Sequence, residues 1–124
     1  MTSGYVNITS QWLPELRLTN NPAYSSTTYN NTWCIGASGN AVHAVWADLR
    51  NGNNEIYYKR STDGGASWGA DTRLTIDTAQ SWNTSVAVSG SSIHVVWIDS
   101  RAGNWEIYYK RSTDNGTSWG ADVR

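Results

Sequence analysis

The sequence predicts an all-β protein built from two copies of one four-stranded antiparallel unit. Three observations carry that expectation. The chain of 124 residues repeats at a spacing of 51: Trp46 and Trp97, Asp48 and Asp99, Arg50 and Arg101, Glu55 and Glu106, Asp63 and Asp114, Trp68 and Trp119. Across 44–71 and 95–122, 21 of 28 positions are identical. The composition favours pleated, half-buried surface, with eight Trp, seven Tyr, many Val, Ile and Thr, and two Pro. Finally, each copy holds an alternating Glu-Ile-Tyr-Tyr-Lys-Arg run followed by Ser-Thr-Asp-x-Gly-x-Ser-Trp. That is a strand, a tight turn and the start of a returning strand.

Each element follows from its residues. Residues 1–10 are a poorly patterned lead-in. Residues 11–19 (QWLPELRLT) align with 67–75 (SWGADTRLT), so they read as an extra copy of the fourth strand of a unit. A polar loop with Pro22 spans 20–31. In the first unit, strand A is 32–37, a turn falls at Ser38-Gly39-Asn40, B is 41–48, C is 55–61 and D is 68–75. The second unit places A at 84–89, B at 92–99, C at 105–112 and D from 118 to the end. The unit boundaries are 20–75 and 76–124. Both B strands are nearly continuous apolar runs, as expected of strands covered on two faces.

A repeat near 50 residues with several short strands is the signature of a β-propeller blade. Two blades cannot close a ring, because propellers hold about 4–8. Alone they leave large apolar faces bare. The expectation is either self-association into a closed ring, with three chains preferred and four as the alternative, or a piece cut from a longer propeller. One fourth strand per chain is then surplus, so 11–19 either displaces 118–124 or stays loose.

Each residue of the turn has a task. Asp63 or Asp114 accepts N–H bonds of its own turn. Gly65 or Gly116 takes a positive φ. Trp68 or Trp119 folds back as a cover, contributing at most about 4–6 kcal/mol from the area that an indole buries. With Ser61 and Ser112, this pattern resembles the Asp-box of the sialidase-like, BNR-repeat β-propellers. The resemblance covers both units. It implies blade architecture, with the Asp-box as a structural turn away from any active site.

Antiparallel order puts the B–C and D–A loops at one end of each unit, where a rigid scaffold commonly carries function. The candidate ligand-binding residues are Asp48, Arg50, Asp99 and Arg101, read either as a ring of charges for a polar ligand or as pairs bracing the loop. Asn53, Asn54, Asn104, Asp77, Tyr24 and Tyr29 lie at the same end. Trp82 and Trp105 join the candidates, because neither has a Trp at the aligned position of the other unit. An indole face can stack on a sugar or pack between blades. Trp33 reads as core, and Trp12, Trp46 and Trp97 read as architectural. His43 and His94 read as packed strand histidines, and Cys34 as a small buried hydrophobe. No metal and no cofactor is predicted.

Charged residues are 15% and the net charge is −1, which excludes nucleic acid or an acidic membrane as a main partner. A single Cys allows no intrachain disulfide and no Cys-based zinc site. No apolar run reaches membrane-span length. The start lacks the pattern of a signal peptide, and localisation stays open, with a secreted origin allowed.

Three functions are weighed. The first is a non-catalytic module that assembles with itself. The second is a carbohydrate-binding, lectin-like module whose repeated sites gain avidity. The third and most distant is a sialidase-type hydrolase. The resemblance implies an arginine triad and a Tyr nucleophile for that enzyme. The nearest match to its N-terminal arginine motif is 13–17 (LPELR), and no catalytic role carries over. The expectation is therefore no enzyme.

Overall fold

The computed structural model describes residues 14–27 and 33–124. The expected lead-in, positions 11–13 of the extra strand, the start of the first strand A, Trp12 and Tyr29 lie outside the described residues. Among those described there is no helix, and the strands form two antiparallel sheets. The first holds β1 (Ser25–Ser26), β2 (Ile35–Ser38), β3 (Ala41–Asp48), β4 (Glu55–Ser61) and β5 (Thr72–Arg73). The second holds β6 (Ser81–Ser89), β7 (Ser92–Asp99) and β8 (Glu106–Ser112). Val123 adds a rudimentary fourth edge, exchanging two backbone bonds of 2.8 and 2.9 Å with Tyr109.

The hairpins form where the chain can turn. Gly39 and Gly90 take φ of 57° and 58° between their strands, a region costly for a residue with a Cβ. The Glu-Ile-Tyr-Tyr-Lys-Arg strands then pair in one register, Asp48 opposite Glu55 and Asp99 opposite Glu106.

Register also defines the two faces of each sheet. In the first, Val45, Ala47, Ile56 and Tyr58 share one face, and Ala44, Trp46, Tyr57 and Lys59 the other. The core is the first of these faces, together with Leu74, packed on Val86, Ile93, Val95, Trp97 and Tyr108 of the second sheet. The contact is therefore front to back: one face of one unit meets the opposite face of the next. At β2 and β6 the sheets nearly touch. A Cβ on Gly36 would stand 2.8 Å from Val88 Cγ2, and the Val86 N–H donates to Trp33 O at 2.7 Å.

The two Ser-Thr-Asp-x-Gly-x-Ser-Trp turns form as their residues predict. The Ser61 hydroxyl donates to Asp63 Oδ1 at 2.7 Å and accepts the Gly65 N–H at 2.8 Å. The Ser67 hydroxyl and N–H both donate to Asp63. These bonds, Ser67 first and Ser61 after it, hold the exposed Asp63 carboxyl down to about 2. Ser112, Asp114 and Ser118 repeat the arrangement. Packing then separates the copies. Gly65 faces open space, whereas a Cβ on Gly116 would fall 1.9 Å from the Tyr58 hydroxyl. The second turn is pressed onto the first sheet, with Trp119 edge-on to Tyr58 at 4.9 Å.

Four expectations need correction. Residues 14–19 are not a strand, because no described strand forms a backbone ladder with them. Strand D shortens to β5 in the first unit and to the Val123 bridge in the second. Strand A of the first unit opens earlier, at Ser25–Ser26. There Ser25 faces Asp48 as Ser81 faces Asp99. Nine positions separate Ser26 from Ile35, but only four separate Trp82 from Val86, which have the same partners one unit on. Five extra residues thus interrupt the first strand A, where the second makes a bulge with Asn83 at φ 51°. Finally, Trp33 is not core. It is 77% exposed, since the described strands put no sheet over the face of β2 it precedes.

Candidate functional site

The loop end of each unit carries a closed charge network. Asp48, at the end of β3, is fully buried. It accepts Trp46 Nε1 at 2.9 Å, the Ser25 hydroxyl at 2.7 Å, Asn21 Nδ2 at 3.2 Å, and the N–H, Nε and Nη2 of Arg50. Arg50 Nη1 donates to Asp71 Oδ2 at 2.7 Å, and Lys59 Nζ lies 2.8 Å from Asp71 Oδ1. Tyr57 supports the guanidinium from below at 4.1 Å.

The second unit repeats this. Asp99 takes Trp97 Nε1, the Ser81 hydroxyl and Arg101, while Arg101 reaches Asp122 at 2.7 Å over Tyr108. Burial alone would raise both Asp pKa values. The hydrogen bonds from Arg and Trp outweigh it, leaving Asp99 at about 2 and Asp48 below the usual carboxylate range. Each arginine fork is thus committed to two carboxylates and a ring face. This geometry braces the B–C loop onto strand D. It leaves an anionic ligand few free N–H donors.

A second constellation surrounds Glu55, at the start of β4 and fully buried. It receives Arg73 Nη2 at 2.7 Å, Asn53 Nδ2 at 3.0 Å, the Asp77 N–H at 3.2 Å and the Thr75 hydroxyl. Thr75 also accepts the Ile56 N–H at 2.8 Å, and Leu74 N–H donates to Ile56 O at 2.7 Å. The stretch leaving the first unit therefore clamps the first sheet before entering the second. Sequence reasoning passed over Glu55. The available signal was a carboxylate at the same place in each strand C.

The remaining candidates lie on the outer face of the second sheet. Trp82 pairs with Ile98, and Ile98 with Ile107. Val96 and Tyr109 continue this face, and Trp105 precedes β8. Ile107, Trp105 and Val96 are exposed, and Trp82 and Ile98 half-buried. In the first sheet the matching face is the core. Of the two strand histidines, His43 is buried with Nδ1 2.7 Å from the Tyr58 hydroxyl, and His94 repeats the contact with Tyr109 at 2.8 Å. Cys34 is half-buried with Sγ 3.6 Å from Thr84 O. Among the described residues, no group of three His, Cys, Asp or Glu is placed to hold a metal, and no helix could cross a membrane.

No protein-family model matches the chain, and no curated protein matches it.

Proposed function

We propose that the chain is a non-catalytic, Asp-box type propeller module that assembles with copies of itself, head to tail, into a closed ring. One observation carries this reading. The outer face of the second sheet is exposed at Val96 and Ile107, although the same face of the first sheet is buried in the chain's own core. The outer face of the second sheet, Val96, Ile98, Ile107 and Tyr109, repeats Val45, Ala47, Ile56 and Tyr58. The outer face of the first sheet, where Ile35 is exposed and Ala44, Trp46 and Tyr57 are buried, repeats Val86, Val95, Trp97 and Tyr108. A contact already made once inside the chain can be made again between chains. Such a heterologous contact propagates until rotation closes it. Three chains give six units, the number that the sialidase-like resemblance implies, and four chains give eight.

Light scattering coupled to size exclusion tests this. The expected mass is about three or four times the 13.7 kDa chain. A folded monomer at high concentration overturns the reading. A carbohydrate-binding reading rests on the exposed indoles of Trp33 and Trp105. It predicts a glycan-array signal that Trp105→Ala abolishes.

A further inference from the structure

Resting on that assembly, we infer that residues 18–25 of one copy lie on the second sheet of its neighbour, with Thr19 on Glu106 and Tyr24 against Trp105. The stretch is a copy of 74–81: Arg17, Leu18, Thr19, Ala23 and Ser25 recur as Arg73, Leu74, Thr75, Ala79 and Ser81, 56 positions later. The fold treats the two alike. Ala23 N–H donates to Asn21 Oδ1 at 2.8 Å, and Ala79 N–H to Asp77 Oδ1 at 2.8 Å. Leu49 N–H donates to Tyr24 O at 3.0 Å, and Ser100 N–H to Gln80 O at 3.2 Å. Lys59 Nζ reaches Leu18 O at 2.7 Å, and Lys110 Nζ reaches Leu74 O at 2.5 Å. Toward the unit that follows it, 18–25 therefore sits as 74–81 does.

Toward the unit that precedes it, 74–80 grips the first sheet through Ile56, Glu55 and Asn54. The matching grip of 18–24 has its complement on the second sheet. Glu106 is half-buried where Glu55 is fully buried, and Ile107 is 61% exposed where Ile56 is 0%. On a neighbour, Leu18 would meet Ile107 O, and Thr19 would meet Glu106 and the Ile107 N–H.

The strongest sign is where the units differ. Within the chain, Asn54 donates its N–H and Nδ2 to Gln80 Oε1 at 3.0 and 2.9 Å. The equivalent of Asn54 is Trp105, and the equivalent of Gln80 is Tyr24. Both members have changed together, from a pair of amides to a pair of rings, and both rings are more than half exposed. An indole opposite an amide would leave the amide without its partner. An indole opposite a phenol buries apolar area and keeps the hydroxyl free to reach water.

The test is a swap in the full chain, read as the concentration at which the assembly dissociates. Tyr24→Gln alone and Trp105→Asn alone should each weaken assembly by about tenfold or more, as loss of an aromatic anchor does. The double variant rebuilds the Asn54–Gln80 pair and should recover to within about threefold of the parent chain. Effects that simply add, or no effect, overturn the joint. In a Cys34→Ser chain, Tyr24→Cys with Trp105→Cys should also give chain-to-chain products with a short bis-maleimide, and monomer bands alone overturn it. A parent chain that never exceeds monomer mass overturns the assembly itself, whereas an assembled parent with uncoupled variants overturns only this joint.

Discussion

Ile56 and Ile107 hold the same place in the same Glu-Ile-Tyr-Tyr-Lys-Arg strand, yet one is fully buried and the other 61% exposed. Val45 and Val96 differ likewise, 1% against 39%. Strand, register and facing are the same in both sheets, so local sequence settles those. Burial is settled by the neighbour. The first sheet has the second over this face, and the second sheet has no further sheet of the described residues there. A repeat unit of this kind encodes both halves of an interface and uses one half at each end.

The largest effect should come from testing that asymmetry directly. Ile56→Ala should cost about 2–5 kcal/mol in urea unfolding, the usual range for a fully buried Ile. Ile107→Ala in dilute solution should cost about 0.5 kcal/mol or less. If assembly covers Ile107, its cost should grow with protein concentration while that of Ile56 stays fixed. Equal costs at every concentration would break the comparison.

The two glycines of the Ser-Thr-Asp-x-Gly-x-Ser-Trp turns give the next effect. Both need positive φ, so Gly65→Ala should cost about 1–2 kcal/mol. Gly116→Ala adds a collision with Tyr58 and should cost about 1–3 kcal/mol more. Thermal melts of the two variants measure the difference directly, and equal shifts would mean that the second turn is not held against Tyr58.

The smallest effect is in pH. Burial, and then the nearby Arg60 charge, push the His43 pKa below 6.5. The unfolded chain then binds the proton more readily, so stability is fully present above about 6.5 and declines as pH falls below it. His43→Gln should flatten that slope. The braced carboxylates act lower. Asp99, at about 2, stabilises above the unfolded value of about 3.9, and that contribution is lost as pH falls toward 2. Urea midpoints across pH 2–8 separate the two slopes.

Much of this was legible in the residues, and the rest shows what they leave out. The limits of β3, β4 and β7 follow from patterning and turn signals alone. The bonds of Asp63 and Asp114 within their turns follow from residue type. Asp48-x-Arg50 was visible as a pair, but not the second carboxylate, Asp71, which only the folded hairpin brings to Arg50. Trp33 misled because an indole beside an apolar strand suggests core, and only the absence of a covering sheet exposes it. The kinship of Tyr24 with Gln80 was hidden by spacing. The repeat interval is 56 up to β1 and 51 from β2 onward, so a single interval misaligns one side. β7 was expected to be covered on both faces. Of β3 and β7, only β3 is buried along both faces.

The five residues that cause this change of interval have a further use. They enter strand A between Ser26 and Trp33, yet β1 and β2 hold the same partners as the uninterrupted β6. The fold therefore accepts a foreign segment at that spot without losing register. If the chain assembles as proposed, a peptide grafted there would be carried once per chain, and the number of chains would set its valency.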